Sequence, residues 1–185
     1  MSFHPTRYAL GRMVMAGACL VLGTLAAAPL AAQSIDAVKA AFVFNFVKFA
    51  SWPEAKMTGN TLHICIGEGS LDSGVFAGWG AKVLKDRAVS VDIIALPQAD
   101  IAQCHILFLS EQADLGVRQT AFYGTAVANH VLLVSDIDGF IEGGGHIHLF
   151  IKDSKLSFEV NLQAIEAADL VLSSQILRLA SNLGS

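Results

Sequence analysis

The chain has 185 residues, of which 54% are apolar and 15% are charged, and its formal net charge at pH 7 is −4. Two of its 12 basic residues, Arg7 and Arg12, lie near the N-terminus, so the rest of the chain has 10 basic against 16 acidic residues, a net charge of −6. The sequence contains no run of lysines and arginines. We therefore expect no nucleic-acid partner, because phosphate backbones are bound by basic surfaces.

The N-terminal segment has the pattern of a secretory signal peptide. Arg7 and Arg12 precede an apolar run from Met13 to Ala28, and small residues follow that run. A membrane span needs roughly 20 apolar residues, so a cleaved signal is favoured over the alternative, a retained anchor. We predict a signal peptide over residues 1–33 and a single domain, outside the cytoplasm, over residues 34–185.

The next predicted element is a helix within KAAFVFNFVKFASWP, residues 39–53. Ser34 or Asp36 can cap its start, and Pro53 is expected to end it at about Ser51, because proline cannot continue the helical hydrogen-bond ladder.

The two sides of this helix differ in polarity. Phe42, Phe46 and Phe49 recur at helical spacing, whereas Asn45 and Lys48 form a narrow polar stripe. The pattern is typical of a helix that packs against a sheet. The polar stripe and the short apolar length exclude a second membrane span.

The rest of the chain alternates apolar strands with helical segments. Strands are predicted over Thr61–Gly67, Ala88–Ala95, Cys104–Leu109, His130–Ser135, His146–Lys152 and Lys155–Val160. Helices are predicted near Ser70–Ala81 and over Glu111–Tyr123, Asn161–Ala168 and Ser173–Asn182. Asp153-Ser154, between the last two strands, predicts a tight antiparallel turn. The predicted fold is α/β with three layers: a mostly parallel six-stranded sheet, helices on both faces, and a C-terminal antiparallel hairpin.

Two cysteines, Cys65 and Cys104, remain once Cys19 is removed with the signal peptide. In an oxidising compartment such a pair predicts one disulfide, and two buried free thiols are the alternative. Cys65 lies in the first predicted strand and Cys104 at the start of the third. These strands are neighbours in a doubly wound sheet of order 2-1-3, so a bridge between them is geometrically reasonable.

Patterns for catalysis or metal binding are weak. His146 and His148 lie two apart on one strand, but no nearby cysteine or His-Glu-x-x-His motif accompanies them. Ser110 and Ser135 each lie at the end of a predicted strand and precede a carboxylate, without the Gly-x-Ser-x-Gly pattern of a nucleophile elbow. We predict no catalytic residue, no metal site, no cofactor and no enzyme activity.

Gly67, Gly69 and Ser70 form a candidate ligand crevice after the first strand, where an α/β sheet can hold an anion against a helix start. The full Gly-x-Gly-x-x-Gly and Gly-Lys-Ser/Thr patterns are absent, so a tight turn is the competing interpretation. The crevice supports the alternative function, a periplasmic small-molecule-binding or sensor domain.

A protein that works by binding needs an exposed apolar patch. Phe140 lies on a glycine-flanked loop, and Phe150 and Phe158 lie on the predicted hairpin, whose edge can pair with a partner strand. These three phenylalanines are the predicted partner surface, with core burial as the alternative. Phe44 and Trp52 lie off the main apolar side of the first helix, and the sequence leaves open whether they pack within the protomer or help to form a dimer or partner surface.

A family resemblance rests on segments that follow one another in chain order. They are KAAFVFNFVKFASWP, the strand with Cys65, the strand with Cys104 and ILFLS, VLLVSD followed by GF, GGG before a strand, LSFEVNL and LSSQILRLA. Together they resemble the YfiR family over about residues 37–182. The resemblance implies a periplasmic repressor without chemistry of its own. It would bind the periplasmic sensor region of an inner-membrane diguanylate cyclase of the YfiN type, lower cyclic di-GMP, and affect biofilm and motility.

The resemblance also implies a homodimer and a second partner, an outer-membrane lipoprotein of the YfiB type that sequesters the repressor. Cys65 and Cys104 match the family's disulfide positions, whereas Gly145 and Ile151 stand where some members have a second cysteine pair. The other matched positions are Asn45, Trp52, Pro53, Glu159, Asn161, Ser173 and Ser174.

Overall fold

The computed structural model describes residues 1–2, 34–96, 100–111 and 120–184. The predicted signal peptide, residues 1–33, lies almost entirely outside these described residues. Within them, no helix is both long enough and apolar enough to cross a membrane.

The helices and strands of the described residues alternate along the chain. The strands are β1 Ala50–Ser51, β2 Thr61–Gly67, β3 Val83–Leu84, β4 Arg87–Ile94, β5 Ile106–Leu109, β6 Leu132–Ser135, β7 Ile147–Lys152, β8 Lys155–Asn161, β9 Val171–Leu172 and β10 Asn182–Gly184. The helices are α1 Ile35–Phe49, α2 Thr120–Ala128, α3 Leu162–Ala167 and α4 Ser174–Leu177. Short 3-10 turns lie at Ser73–Phe76, Trp79–Ala81 and Ile101–Gln103.

An eight-stranded sheet with the order β10-β8-β7-β6-β5-β2-β4-β3 forms the centre of the described fold. Its neighbouring strands run parallel except for the pairs β3–β4 and β7–β8. Strands β1 and β9 form a separate antiparallel pair. The structure thus confirms a mixed α/β fold with a mostly parallel sheet, and it confirms the order β4-β2-β5 on which the disulfide prediction depended.

The predicted count of six strands is wrong, because two edge strands were missed. Strand β3 has only two residues, too few to show alternation, and it turns into β4 through Lys85 and Asp86, which have φ angles of 52° and 62°. Strand β10 begins at Asn182, the last residue of the segment that was predicted as the final helix, and continues to Gly184. That helix, α4, ends at Leu177, and the chain then pairs with β8.

Helix α1 begins directly after Ser34, whose hydroxyl oxygen accepts a hydrogen bond from the Ala37 N–H at 3.2 Å. This N-cap satisfies one of the free donors of the first turn. The helix ends at Phe49, earlier than predicted, because the next two residues pair with β9 as strand β1. Pro53 therefore follows the helix end and does not cause it.

Two other predicted helices differ from the structure. Between Ser70 and Ala81 the chain forms 3-10 turns, and Gly78 between them adopts φ of +78°, a left-handed conformation that interrupts a helix. The helix predicted over Glu111–Tyr123 lies mostly outside the described residues. Its described part, α2, continues past Tyr123 to Ala128.

The two faces of the sheet are covered differently. On one face α1, α3, α4 and two 3-10 turns enclose a core that includes Phe46 and Phe158. On the other face α2, the turn Ile101–Gln103 and the loop with Phe140 enclose a second core, which includes Leu133. The layering therefore differs from the predicted one: a single described helix, with irregular segments, covers the second face.

The C-terminal hairpin β7–β8 is confirmed. Asp153 and Ser154 close it with φ angles of 50° and 60°, as a two-residue type I′ turn requires. Asn161 ends β8, and its side-chain oxygen accepts a hydrogen bond from the Ala164 N–H at 3.0 Å, which caps α3.

Candidate functional site

A disulfide joins Cys65 in β2 to Cys104, which lies between the turn Ile101–Gln103 and β5. The two Cα atoms are 5.7 Å apart, and the sequence separation is 39. Both cysteines are completely buried in the second core. The bridge predicted from the sequence is present in the structure, and its burial indicates a structural bond, since reactive cysteines need access.

The predicted ligand crevice at Gly67, Gly69 and Ser70 is a closed turn. The Ser70 N–H donates to the Gly67 carbonyl at 3.0 Å, and Gly69 has φ of +78°. The Ser70 hydroxyl oxygen accepts a hydrogen bond from the Ser110 N–H at 3.0 Å in a buried position. The following segment forms 3-10 turns, so the helix dipole on which anion binding relied is missing from it. The structure fits the tight-turn interpretation.

Two of the three phenylalanines predicted as a partner surface are buried, and the prediction is wrong for them. Phe140 is 1% exposed, and its ring packs edge-on against Tyr123 with centroids 5.8 Å apart. Phe158 is 2% exposed, and its ring centroid lies 5.1 Å from that of Phe46 in α1. Both rings are enclosed because a helix packs over them. Phe150 is partly exposed and remains a candidate residue for a partner surface.

Phe44 and Trp52 both pack within the protomer. The Phe44 ring contacts Trp79, with centroids 4.9 Å apart. Trp52 is 8% exposed, and its indole N–H donates to the His105 carbonyl at 3.0 Å. The greater part of both side chains is therefore buried inside the domain.

The histidine pair considered for metal binding has structural partners. His146 Nδ1 accepts a hydrogen bond from the Leu133 N–H at 2.9 Å, and burial lowers the pKa of His146 to about 4. His148 Nδ1 lies 2.9 Å from Glu159 Oε1 on the neighbouring strand. The described part of the chain has no group of three or more His, Cys, Asp or Glu side chains that could hold a metal ion.

Ser135, one of the two serines considered for catalysis, stabilises the turn after β6. Its hydroxyl oxygen accepts a hydrogen bond from the Ile137 N–H at 3.0 Å, and the residue is completely buried. The adjacent Asp136 forms a salt bridge with Lys39 of α1. These contacts fix the strand end against α1, as a structural role requires.

A polar cavity of about 390 Å³ lies at the N-terminal ends of β2 and β5. His105 Nδ1 accepts a hydrogen bond from the His63 N–H at 3.1 Å, and burial, with the nearby charge of Lys56, lowers the pKa of His105 to about 4. The Lys56 ammonium donates to the carbonyls of Ala102 and Asn129. Lys56 and His105 are thus engaged in hydrogen bonds to the backbone that hold neighbouring segments together.

An apolar groove that was not among the sites predicted from the sequence opens between α1, β8 and the end of α4. Its lining residues are Phe42, Asn45, Phe49, Leu156, Ser157, Phe158, Ile176 and Leu179. We call it the α1–β8 groove. Its volume is about 370 Å³, and Leu179 on its rim is 69% exposed. The helical spacing of Phe42 and Phe49 was the one signal in the sequence, because the opposite wall comes from a distant segment.

The match to a protein family covers most of the chain. The sequence model of the YfiR/HmsC-like family matches residues 36–181. The chain belongs to the YfiR/HmsC-like family. Among curated proteins, none matches the chain. Membership of the YfiR/HmsC-like family indicates a periplasmic regulator of cyclic di-GMP signalling, in a family that is regulatory and not catalytic.

A solved structure resembles this YfiR/HmsC-like domain in fold. It is that of a conserved domain protein from Vibrio cholerae O1 biovar El Tor, with a TM-score of 0.50 and 10% sequence identity. The likeness covers 82% of this chain and 60% of the Vibrio chain. At this identity it shows the shared fold alone.

Most positions that match the YfiR pattern have roles inside the fold. Trp52 donates to a backbone carbonyl, Glu159 contacts His148, and Asn161 caps α3. Asn45 differs, because it is exposed and lines the α1–β8 groove. The remaining matched positions are Pro53, which follows β1, Ser173, which directly precedes α4, and Ser174, the first residue of α4.

The packing of this YfiR/HmsC-like chain leaves no room for a second bridge at Gly145. A Cβ atom added there would lie 2.3 Å from the ring of Phe140. Ile151, the other position of the missing pair, is 59% exposed near the end of β7. Close packing of the Phe140 ring against the backbone therefore explains the glycine at position 145.

Proposed function

We propose that the protein is a periplasmic negative regulator that binds and inhibits an inner-membrane diguanylate cyclase of the YfiN type. The observation that carries the proposal is the family match over residues 36–181. Contact with the periplasmic sensor region of the cyclase holds it inactive, lowers cyclic di-GMP, and changes biofilm formation and motility. The proposal includes export through a signal peptide in residues 1–33.

Two features of the described residues support a function by contact. Polar groups that could suggest chemistry, such as His146 and Ser135, are buried and bonded to backbone N–H groups. The α1–β8 groove presents apolar side chains to solvent, as binding surfaces do. The proposal extends to an outer-membrane lipoprotein of the YfiB type that relieves the inhibition, and to a homodimer as the acting form.

The small-molecule sensor is the weaker candidate. It relied on the crevice at Gly67, Gly69 and Ser70, where the Ser70 hydroxyl already accepts a backbone hydrogen bond. We therefore retain the regulator as the proposed function.

Deletion of the gene tests this function. Cellular cyclic di-GMP, measured by mass spectrometry, should rise in the deletion strain and should return to its original level when the cyclase gene is also removed. The full chain should restore repression, whereas residues 34–185 alone should not, because they would stay in the cytoplasm. Unchanged cyclic di-GMP in a host that uses such a cyclase would refute the proposal.

A further inference from the structure

The outer edge of β4 is open over most of its length. Strand β4 comprises Arg87–Ile94, and its inner edge pairs with β2 from Ala88 onward. On its outer edge, β3 pairs only with Arg87 and Ala88. The remaining segment, Ser90–Ile94, has no strand beside it on the outer side within the described part of the chain. We call this segment the open edge.

The backbone groups of β4 alternate in direction. The Ala88 N–H donates inward, to the backbone just before β2 at 2.9 Å, and the Val89 N–H donates outward, to the Lys82 carbonyl at 3.1 Å. Because successive residues of a strand direct their backbone groups to opposite sides, Val91 and Ile93 face outward like Val89. Among the described residues, none bonds to the outward N–H and C=O groups of these two residues. Such an unpaired row is a template for another strand.

A cavity of about 490 Å³ lies beside the open edge. Its walls come from β4 and from the two 3-10 turns that follow β2, and its lining residues are Ser73, Phe76, Ala77, Gly80, Val89, Ser90, Val91 and Ile93. The volume lies within the range, about 300 to 1,000 Å³, that ligand sites occupy. Ile93 is 49% exposed, although it is a large apolar residue. A strand laid along the open edge would direct alternate side chains toward this cavity.

These two features together indicate the class of occupant. The outward backbone groups recur every second residue, and a polypeptide in the extended conformation presents its own N–H and C=O groups at the same spacing. A helix uses its backbone groups internally and has none to offer along its side. The cavity adds room for a side chain, as in known cases where a peptide joins a sheet edge. The open edge therefore suits an extended protein segment.

Charge distinguishes a foreign segment from a second copy of this chain. Asp92 is the one charged residue of the open edge, Ser90–Ile94. If Val91 and Ile93 both paired with the same two residues of a second copy about a two-fold axis, Asp92 would lie directly opposite its counterpart. Like charges directly opposite each other across two strands are destabilising, whereas opposite charges are stabilising. A segment with lysine or arginine at this position is therefore favoured over a second copy.

The Asp92 carboxylate is held in position for such a pairing. Its Oδ2 lies 3.1 Å from His63 Nδ1, and the Ser90 hydroxyl donates to the same carboxylate at 3.1 Å. The Asp92 side chain is 36% exposed. No lysine or arginine in the described ranges forms a salt bridge with it. The charge is thus fixed by its neighbours and accessible to a cation on an added strand.

We propose that the open edge of β4 binds an extended segment of a partner protein as an additional strand. The segment bonds through its backbone to Val91 and Ile93, inserts an apolar side chain into the cavity beside Phe76, and places lysine or arginine opposite Asp92. The backbone bonds select the extended conformation, and the cavity and Asp92 select the sequence. The inference goes beyond the proposed function, because it does not depend on the cyclase as the source of the segment.

Three labelled peptides test the chemistry of the occupant. The first is an extended peptide with valine on one face, threonine on the other, and lysine at the centre of the threonine face. The second has glutamate in place of the lysine, and the third has the first sequence with N-methylated backbone amides. Fluorescence anisotropy with the full-length protein expressed and purified from the periplasm should show binding of the first. The second should bind about two- to fivefold more weakly, and the third about tenfold or more.

Amide hydrogen exchange, measured by NMR, examines the edge directly. In the free protein the amides of Val91 and Ile93 should exchange faster than those of Ser90 and Asp92, which point toward β2. Saturation with the first peptide should slow exchange at Val91 and Ile93. The methylated peptide should not slow it.

Matched variants localise the binding. Ile93→Pro removes an outward N–H and should weaken binding of the first peptide about tenfold or more, whereas Ile93→Thr keeps that N–H and should retain most of the binding. Gly80→Phe adds a ring to the cavity wall and should weaken binding severalfold. Gly124→Phe, in α2, should leave it unchanged. A Cβ atom added at either glycine meets no atom within 4 Å, so the fold accommodates both changes.

Several results would overturn the inference. No binding of the first peptide, equal binding of the methylated one, or slow exchange at Val91 and Ile93 in the free monomer would show that the edge does not accept a strand. Equal loss in Gly80→Phe and Gly124→Phe would exclude the cavity. A dimer that Ile93→Pro converts to a monomer, seen by size-exclusion chromatography, would identify a second copy as the occupant. These measurements use no cyclase, so their failure and the failure of the gene-deletion test are separate results.

Discussion

At the scale of single residues, two buried histidines complete hydrogen bonds at the ends of strands. His146 accepts the Leu133 N–H, and His105 accepts the His63 N–H. A ring nitrogen can accept only while it carries no proton, so both bonds require the nitrogen to stay unprotonated. Burial lowers the pKa of each histidine to about 4 and thereby favours this form at neutral pH.

The free energy of unfolding should decrease in mild acid because of these histidines. Between the ordinary pKa of 6.5 and the folded value of about 4, the unfolded chain binds protons that the folded chain does not. Stability should therefore be fully present above pH 6.5 and decline as the pH falls toward 4. His146→Asn keeps an oxygen that can accept the Leu133 hydrogen bond and does not titrate. It should flatten part of this decline in urea unfolding curves, and an unchanged slope would contradict the assignment.

At the scale of elements, Asn161 joins β8 to α3 by ending the strand and capping the helix. Asn161→Ala should lower the free energy of unfolding by about 1 kcal/mol, because it removes the acceptor for the Ala164 N–H. Asn161→Asp keeps that acceptor and should retain most of the stability in chemical denaturation. An equal loss in both variants would point instead to the amide N–H of Asn161, which donates to the Ile141 carbonyl at 3.4 Å.

Element length decides what the sequence could predict about the fold. Strand β2 was predicted with its observed bounds, Thr61–Gly67, because seven residues suffice to show alternation and β-branching. Strands β1, β3, β9 and β10 have only two or three residues, too few to show the alternation of apolar and polar residues that identifies a strand. The segment Ser173–Asn182 was predicted as a helix, but the helix α4 ends at Leu177, and the chain pairs with β8 from Asn182 onward.

The candidate site was harder to predict than the fold, because burial depends on tertiary neighbours. Phe158 and Leu179 are both apolar residues near the end of the chain, yet one is 2% exposed and the other 69%. Phe158 lies on the side of β8 that α1 covers, whereas Leu179 follows a four-residue helix that ends at the rim of the groove. Local periodicity contains no information about which of them a distant helix encloses.

At the scale of the whole molecule, the disulfide holds β2 beside the start of β5 within the second core. Replacing Cys65 and Cys104 by serine should lower the free energy of unfolding by about 2 to 5 kcal/mol. Reductant should lower the thermal midpoint of the parent protein and leave that of the double variant unchanged. Thiol titration of the denatured, periplasmically purified parent should find no free thiol, and two reactive thiols would show that the bridge does not form.

The small β1–β9 sheet connects the two distant parts of the chain that form the walls of the α1–β8 groove. It joins the residues after α1 to those before α4, and the Ser173 N–H donates to the Phe49 carbonyl at 2.9 Å beside it. One wall of the groove therefore comes from α1, and the other comes from β8 and the residues after α4, including Leu179, which are more than 100 residues further along the chain. A prematurely terminated chain carries half of the groove. A partner that recognises the groove should therefore bind the full domain and not a chain that ends before Leu179.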